Sequence, residues 1–405
     1  MSSGRVISRR SFLAGAGVAA LAACSPTEPD RAVSPTRAVT QQPDPVECPA
    51  FDDGGGREPL WEVALARGLV FGSSAATWQL SDPEYRRLFA REAAMLFTED
   101  DLLWWRLRPT PDADLDFRYG DRIVRFAEEQ GMLVLGAHLV WDEGFGEGWT
   151  QADLRTLREQ EARDVLFGTV ERVVDHYRGR VAAWIVVNEA VDDFGLRTDV
   201  PWYSTIGPGY VAEAFHLAHE ADPDATLLYN DYGYETDDGF SIAADRRAAT
   251  LELLDQLLDD GVPVHALGVQ AHLHAGGFAE AFDPSAYRAF LAQVADRGLR
   301  ILVTELDVLD DGLPTDVAER DRAVADTIQR YLDAALEEPS VAALISFGLS
   351  DRYTWLQEDY PRDDGATRRP LPFDEEMRPK PAYDALATGV ADAARRSVVW
   401  TPPRC

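Results

Sequence analysis

Two glutamates follow stretches of apolar residues, at positions where an unused carboxylate would be costly. Glu189 ends the segment AAWIVVNE (182–189), and Glu305 lies near the end of ILVTELD (301–307). A buried carboxylate is unfavourable unless it is paired or takes part in chemistry. Two facing carboxylates suit the hydrolysis of a glycosidic bond, in which one protonates the leaving oxygen and the other attacks the anomeric carbon or activates a water. The two glutamates are therefore the candidate catalytic residues.

Three further polar residues are spaced so that they could support these carboxylates. Gln270 lies two residues before His272. Glu305 lies two residues before Asp307, and side chains two apart along a strand share one face. We expect His272 to bridge Asp307 and Glu305 and to hold the glutamate by a hydrogen bond. A core histidine with satisfied ring nitrogens is the alternative. His274 continues the spacing, but no third set of ligands accompanies it, so no metal site is predicted.

Apolar runs that alternate with amphipathic stretches predict the elements that carry these residues. Most of the eight runs are continuously apolar, as in strands covered on both faces, and stretches such as YGDRIVRFAEEQG (119–131) have helical spacing. Eight strand–helix units favour an α/β fold with a single catalytic domain, a (β/α)8 TIM barrel. A doubly wound open sheet is the alternative, but no glycine-rich phosphate loop opens a helix. The predicted strands lie at 68–74, 93–97, 132–141, 182–189, 225–231, 264–272, 301–307 and 341–348.

Polar and aromatic residues accumulate where the predicted strands end. In a (β/α)8 barrel the carboxyl ends of the strands form the face that carries the active site, so these side chains would gather around one cleft. Tryptophan rings there could face the apolar sides of sugar rings, although any one of them could instead belong to the core. The candidates for this wall are Trp78, Trp104, Trp141, Tyr232, Phe347 and Trp355.

The charge of the chain limits its partners. The 405 residues carry a formal net charge of −31, and 46% of them are hydrophobic, enough for a large core. Nucleic acids and anionic membrane surfaces would be repelled. Acidic substrates are expected to be unfavourable as well, because Asp100 and Asp101 adjoin the predicted cleft. Arginine rather than lysine supplies the positive charge, and both a high-GC coding bias and adaptation to salt are consistent with this composition.

The first 55 residues have the features of targeting and linking segments. Residues 1–24 contain a twin-arginine pair and a short apolar stretch ending in LAAC, which predicts export by the twin-arginine route and a lipid anchor on Cys24. A plain cleaved signal with an incidental cysteine is the alternative. Residues 25–55 are rich in Pro, Ser, Thr and Asp, which is typical of a flexible tether. The hydrolase domain would then span 56–405 of a periplasmic or cell-surface lipoprotein, or otherwise of a secreted protein.

Two further cysteines, Cys48 and Cys405, lie at the two ends of the predicted domain. Outside the cytoplasm an even pair of cysteines favours a disulfide, which would join the end of the tether to the carboxyl terminus. Two independent thiols are the alternative. We expect a monomer that contacts the membrane only through the lipid anchor.

The motifs together resemble those of glycoside hydrolase family 10, the family of endo-β-1,4-xylanases, from about residue 68 to residue 387. WIVVNEA (184–190) is similar to the family's Trp-Asp-Val-Val-Asn-Glu-Ala segment, with Ile185 in place of the aspartate. VTELDV (303–308) is similar to the family's nucleophile strand, and LGVQAHL, GLSDRYTW and KPAYDAL match further blocks in the same order. Together these matches cover nearly the whole predicted domain.

The resemblance implies a (β/α)8 barrel, a retaining mechanism, no cofactor and a β-linked polysaccharide or oligosaccharide as partner. Glu189 would be the general acid/base and Glu305 the nucleophile. Asn188 would hold the sugar 2-hydroxyl near the nucleophile. The other residues implied at the cleavage site are His272 and Asp307, as supports of Glu305, and Gln270 and Tyr232, as lining residues.

Several sugar-contacting positions depart from the family pattern. In EDDLLW (99–104), Asp100 replaces an asparagine and Leu103 replaces a lysine. In the family, these two residues bind the sugars just upstream of the cut. Losing a lysine donor leaves a sugar hydroxyl unpaired unless the sugar changes or another group reaches it. Glu99 and Trp104 of the same segment are kept.

The segment GAHLVWD (136–142) departs as well. Ala137 stands where the family has histidine, unless a bulge lets His138 serve instead, and Phe347 stands where the last strand usually ends in tryptophan. With both glutamates kept, we expect hydrolysis of xylan or a related β-linked glycan, and a carbohydrate-binding lipoprotein without activity is the alternative. The expected substrate-binding residues are Glu99, Asp100, Trp104, His138, Trp141, Tyr232, Gln270, Phe347 and Trp355.

Overall fold

The computed structural model describes residues 56–146, 148–237 and 241–403. Their central feature is a closed barrel of eight parallel strands, in which each strand pairs with the next along the chain and the last pairs with the first. The prediction of a (β/α)8 barrel is confirmed, since each predicted run overlaps one strand. The strands are β1 (Val70–Ala75), β2 (Met95–Thr98), β3 (Leu133–Gly136), β4 (Ala183–Asn188), β5 (Thr226–Asp231), β6 (Ala266–Val269), β7 (Arg300–Leu309) and β8 (Val341–Ser346).

The strands are buried on both faces, which explains their continuously apolar sequences. In β4, Ile185 packs with Leu228 in the cluster that fills the barrel, whereas Trp184 and Val186 join the outer core beneath the helices. Successive side chains along a strand point to opposite faces, and here both faces meet apolar neighbours. In β4, a polar residue is therefore tolerated only where the strand ends, at Asn188.

Two strands depart from regular pairing close to their carboxyl ends. In β4, Ile185 pairs with Leu228 but Val187 pairs with Tyr229, so β4 carries one extra residue. In β7, three steps from Val303 to Leu306 match two steps of β8. Such bulges re-aim the side chains that follow them, and the residues re-aimed here include both candidate glutamates.

Eight helices follow the eight strands and cover the barrel. Asp82, Asp283 and Asp316 each cap a helix by accepting hydrogen bonds from free backbone N–H groups of the first turn. The helices are α1 (Pro83–Glu92), α2 (Arg118–Glu129), α3 (Glu159–His176), α4 (Tyr210–Ala221), α5 (Ala243–Asp259), α6 (Pro284–Asp296), α7 (Val317–Ala335) and α8 (Pro381–Asp392).

Shorter elements occupy the connections. A strand at His272–His274 pairs with the extended end of β7, with His272 opposite Asp307, which brings two candidate residues together. A hairpin joins Val191–Asp192 to Gly195–Leu196. The remaining short helices are Leu60–Leu65, Gln79–Ser81, Trp104–Leu107, Gln151–Thr156, Pro201–Ile206, Phe278–Ala281, Asp351–Tyr353 and Leu356–Asp359.

The predicted signal and tether, residues 1–55, lie outside the described residues, as do Cys24, Cys48 and Cys405. The signal, lipid-anchor and disulfide assignments therefore stay predictions. Within the described ranges, no helix combines the length and the apolarity needed to cross a membrane.

The close approach of β3 to β4 at Gly136 can be tested by substitution. A Cβ atom there would lie 2.4 Å from the ring of Trp184. We expect Gly136→Ala to lower the free energy of unfolding by about 1–3 kcal/mol, because the buried ring has no room to move. Gly168→Ala, in α3, is the matched control: nothing lies within 4 Å of its new Cβ, and the change should raise the free energy of unfolding by about 0.5–1 kcal/mol. Urea denaturation measures the free energy of unfolding of both variants. Equal denaturation midpoints for the two would contradict the close packing of Gly136 against Trp184.

Candidate active site

Four strand ends bring polar side chains together at the carboxyl end of the barrel. Asn188 ends β4, Asn230 lies near the end of β5, Gln270 follows β6 and Glu305 lies within β7. Each of these residues is at most 5% exposed. Polar groups buried to this extent need hydrogen-bond partners, and they find them in one another.

Glu189 follows β4 in a backbone conformation that only glycine adopts freely. Its φ is 57°, and this left-handed conformation persists in other residues only where the surroundings enforce it. The Glu189 amide donates to the carbonyl of Asn230 (2.9 Å), and its carbonyl accepts from Nη1 of Arg197 (3.0 Å). Arg197 is itself fixed by Asp142 (2.9 Å). The orientation of Glu189 is thus imposed from both sides of its backbone.

A chain of hydrogen bonds through two amide side chains joins the two carboxylates. Nδ2 of Asn188 donates to Oε1 of Glu189 (3.1 Å). Nδ2 of Asn230 donates to Oδ1 of Asn188 and to Oε1 of Glu305, each at 2.8 Å. Oγ1 of Thr304 donates to Oδ1 of Asn230 (2.7 Å), which fixes the orientation of that amide. The positions of the two glutamates are therefore set by one network.

Glu189 is surrounded by donors and nevertheless keeps its proton. Besides Asn188, Nε2 of Gln270 donates to its Oε1 (2.9 Å) and Nε1 of Trp141 donates to its Oε2 (3.1 Å). Such bonds favour the ionised form. Burial acts in the opposite direction and is the larger effect; together with the nearby Asp231 it raises the pKa of Glu189 to about 8. At neutral pH Glu189 can therefore give a proton to a leaving group.

Glu305 lies beside a charged histidine. Nδ1 of His272 is 2.8 Å from Oδ1 of Asp307, and its Nε2 is 3.4 Å from Oε2 of Glu305. Burial lowers the pKa of His272, but the carboxylates of Asp307 and Glu305 outweigh burial and hold this pKa well above its usual value. Nε1 of Trp355 donates to the other oxygen of Asp307 (2.7 Å). The predicted bridge between Asp307 and Glu305 is present, and it places a positive charge beside Glu305.

His138 reaches the site, whereas Ala137 points into the barrel core. Nε2 of His138 lies 3.9 Å from Oε1 of Glu305, and its ring stacks on that of Trp141 with centroids 5.1 Å apart. Burial lowers the pKa of His138 to about 4, so the ring is neutral at neutral pH. Neither ring nitrogen has a hydrogen-bond partner among the described residues. A neutral imidazole offers one donor and one acceptor, so His138 can pair with a sugar hydroxyl.

Besides Trp141, three of the predicted aromatic residues lie around these groups. The rings of Phe347 and Trp355 lie 5.4 and 5.3 Å from that of His272. The ring of Tyr232 lies under the guanidinium of Arg246 (4.4 Å). Burial and the neighbouring Glu189 raise the pKa of its hydroxyl, so Tyr232 adjoins that carboxyl group. These rings form the partly exposed wall that the sequence predicted.

Trp104 belongs to the core instead, which corrects its assignment as a sugar-binding ring. Trp104 is 2% exposed and packs against Phe145, Trp149 and Trp202 at 5.4, 5.6 and 5.8 Å between centroids. Its Nε1 donates to the carbonyl of Leu139 (3.0 Å). Because neighbouring rings cover it, Trp104 fixes the loop after β2 and has no free face for a sugar.

The loop after β2 carries the two predicted sugar-binding acids. Oε2 of Glu99 accepts from Oγ of Ser74 (3.0 Å), and its Oε1 accepts from Nε2 of Gln79 (3.3 Å). Burial, with a contribution from Asp100, raises the pKa of Glu99 to about 8. Asp100 accepts from Nε1 of Trp78 (3.1 Å), a residue that is 49% exposed. The two acids are thus tied to the end of β1 at the rim of the barrel.

Sequence reasoning missed Asn230, which joins the two glutamates. Its position at the end of an apolar run, in YNDY, is the same signal that singled out Asn188. What the sequence lacks is the register that sets Asn188 opposite Asn230. In the part of the chain that the structure describes, no group of three or more His, Cys, Asp or Glu side chains could hold a metal ion.

The chain is similar to known enzymes over nearly all of its described residues. Residues 60–389 match the family described as Glycosyl hydrolase family 10. The chain is 32% identical over 333 residues to Endo-1,4-beta-xylanase B of Thermotoga neapolitana (81% of this chain, 90% of that protein). It is 30% identical over 318 residues to Exoglucanase XynX of Acetivibrio thermocellus (76% of this chain, 27% of that protein). Its fold matches the crystal structure of xylanase 10B from Thermotoga petrophila RKU-1 in complex with xylobiose, with a TM-score of 0.73, 33% identity and coverage of 82% and 97% of the two chains. The chain therefore belongs to glycosyl hydrolase family 10, as its motifs predicted, and it is a glycoside hydrolase.

Proposed function

We propose that this protein is an endo-1,4-β-xylanase that hydrolyses xylan or xylo-oligosaccharides with retention at the anomeric carbon. The observation that supports this most directly is the pair of linked glutamates in opposite environments. Glu189 is protonated by burial, whereas Glu305 faces a charged His272. The names of the related xylanases support the choice of substrate.

In the first step, an oxygen of Glu305 attacks the anomeric carbon and forms an ester bond to the sugar. The bond from that carbon to the leaving oxygen breaks, and Glu189 gives its proton to this oxygen. The hydrogen bond from Asn230 (2.8 Å) holds the attacking carboxylate in place. Glu189 leaves this step as a carboxylate, which the donors Gln270 and Trp141 stabilise.

In the second step, Glu189 takes a proton from a water that attacks the anomeric carbon. The ester bond to Glu305 breaks, so both glutamates return to their starting states and the sugar keeps its configuration after two inversions. We expect His138 to bind a hydroxyl of the sugar at the cleavage site, because its Nε2 lies 3.9 Å from Glu305 and neither ring nitrogen has a partner among the described residues.

A different β-linked glycan is the second candidate substrate. Leu103 replaces a lysine that would contact xylan in the family pattern, and one relative bears the name exoglucanase. A binding protein without activity is less well supported, since such a protein has no use for a protonated acid held beside a supported nucleophile.

The substrate is tested by product analysis. Residues 56–405 are incubated with xylan, arabinoxylan, mixed-linkage glucan and cello-oligosaccharides, with Glu305→Gln as the inactive control. We expect a series of xylo-oligosaccharides from the wild type alone. Products from a glucan only would select the second substrate. Binding without products from any glycan would contradict hydrolysis of the four glycans tested.

The role of Glu189 predicts a pH dependence. Its pKa is raised to about 8, so the acid is protonated below this pH and lost above it. We expect kcat/KM for unactivated xylo-oligosaccharides to fall as the pH rises through about 8, and Glu189→Gln to abolish this fall. Aryl xylosides with good leaving groups need no proton, so the same variant should keep most of its glycosylation rate on them. Equal losses on both substrates would exclude Glu189 as the acid.

Asn230 is predicted to be a positioning residue for the nucleophile. Asn230→Ala should lower kcat about 100-fold, the usual effect of losing one donor at a reacting group, with little change in KM. The loss should be equal for activated and unactivated substrates, because Glu305 acts on both. Thr304→Val, which removes only the bond that orients the amide, is the matched control and should lose less. A rise in KM at unchanged kcat would show that Asn230 binds sugar instead.

A further inference from the structure

A groove on this acidic chain has more basic than acidic residues in its lining. It lies between the start of α1 and one face of α2, has a volume of about 490 Å³, and is lined by four arginines but a single glutamate. The formal net charge of the chain is −31, so the charge of the groove lining is opposite in sign to that of the chain as a whole. Its volume is within the ~300–1,000 Å³ typical of small-ligand sites. We call it the arginine groove and define it by Arg86, Arg106, Arg122, Arg125, Trp78 and Tyr119.

Two of the four arginines are already engaged by the protein. Arg106 lies 3.6 Å from both Asp100 and Asp101, and Arg86 lies 3.7 Å from Glu129. These two cations neutralise acids at the edge of the groove and hold its walls in place.

The other two arginines are available. Arg122 and Arg125 are exposed on α2, and their guanidinium groups form no hydrogen bond or salt bridge to another described residue. Asp116, whose carboxylate pairs with Arg118, also interacts electrostatically with Arg122. The guanidinium of Arg122 lies 5.7 Å from the ring of Tyr119. Each guanidinium group presents a fork of N–H donors that matches a carboxylate.

The arginine groove adjoins the rim of the catalytic cleft. Trp78 belongs to the groove, and its Nε1 donates to Asp100 (3.1 Å). Thr77 also lines the groove, and its amide donates to Asp101 (2.6 Å). These residues follow β1 and β2, so they lie at the same end of the barrel as both glutamates. A glycan in the cleft could therefore extend a branch into the groove.

Aromatic side chains make the groove suitable for a sugar that carries the acid. Trp78 is 49% exposed, and its ring is braced edge-on against Tyr353 (5.5 Å). Tyr119 lies between Arg106 and Arg122, with their guanidinium groups 4.6 and 5.7 Å from its ring. A sugar ring with an apolar face and one anionic substituent could contact both the aromatic rings and the guanidinium groups of the groove.

We propose that the arginine groove binds the carboxylate of a uronic acid branch on the xylan whose backbone occupies the cleft. This inference rests on the proposed function, because a xylan backbone must lie in the cleft to present the branch. It also departs from the expectation that acidic substrates are disfavoured. That expectation counted Asp100 and Asp101 as free charges, whereas Arg106 faces both.

The test compares two xylo-oligosaccharides of equal length, one linear and one with a single glucuronic acid branch. The variant carries Arg122→Gln and Arg125→Gln. We expect its kcat/KM on the branched substrate to fall about tenfold or more, because losing even one charge-assisted hydrogen bond has an effect of about this size. Its kcat/KM on the linear substrate should stay unchanged. A variant with Arg87→Gln and Arg172→Gln, two exposed arginines outside the groove, is the matched control and should change neither.

A branched substrate whose carboxyl group has been reduced to an alcohol separates charge from shape. We expect the wild type to favour the acid over the reduced form, and the groove variant to treat the two alike. An unchanged ratio of branched to linear rates in the groove variant would overturn the proposal. So would equal wild-type rates on the acid and the reduced form.

Binding to Glu305→Gln separates this proposal from the proposed function. Calorimetry is carried out with the branched oligosaccharide and with free glucuronic acid. A branch site is supported if the branched form binds more than tenfold more tightly than the free acid and if this binding is lost when Arg122 and Arg125 are replaced. This result would stand even if no glycan is cleaved. Binding of the two forms with equal affinity would overturn the assignment to a branch. Cleavage of linear xylan without arginine-dependent binding would leave the xylanase proposal intact and reject the groove.

Discussion

The site depends on one irregularity in the pairing of β4 with β5. Ile185 pairs with Leu228, but the extra residue in β4 then sets Val187 opposite Tyr229 and Asn188 opposite Asn230. If the pairing continued residue by residue from Ile185, Asn188 would instead face Asp231, and the amide link to Glu305 could not form. A shift of one residue turns a side chain to the other face of a strand, so this bulge decides whether the two glutamates share a network.

The two glutamate side chains that this network joins have different electrostatic surroundings. Glu189 lies outside the strand, in a strained turn, and burial keeps its proton in place. Glu305 lies inside a second bulge, where the strand at His272–His274 adds a cation to its surroundings. Hydrogen bonds fix where the carboxyl groups are, whereas burial keeps the proton on Glu189 and the charged His272 places a cation beside Glu305. Position and charge are thus set by separate interactions.

The sequence predicted the barrel and most of the site because both follow from local patterns. Apolar runs mark strands, and polar residues at their ends mark the face where Asn188, Gln270 and Glu305 meet. Asn230 was missed because its importance lies in a register between strands. Trp104 was misplaced because exposure depends on its neighbours: a tryptophan at a strand end looks the same in sequence whether its faces are open or covered by Trp149 and Trp202.

The net charge of the whole chain likewise does not predict the local charge of one site. In physiological salt, fields from exposed charges fade within about 10 Å. A net charge of −31 therefore says little about a groove whose own charged residues are four arginines and one glutamate. The average still acts on large ligands, since a long polyanion must approach across the acidic surface. A neutral glycan that bears one carboxylate meets little of this repulsion and carries its charge directly to Arg122 and Arg125. Acidic surface and basic groove together favour sparsely charged chains over densely charged ones.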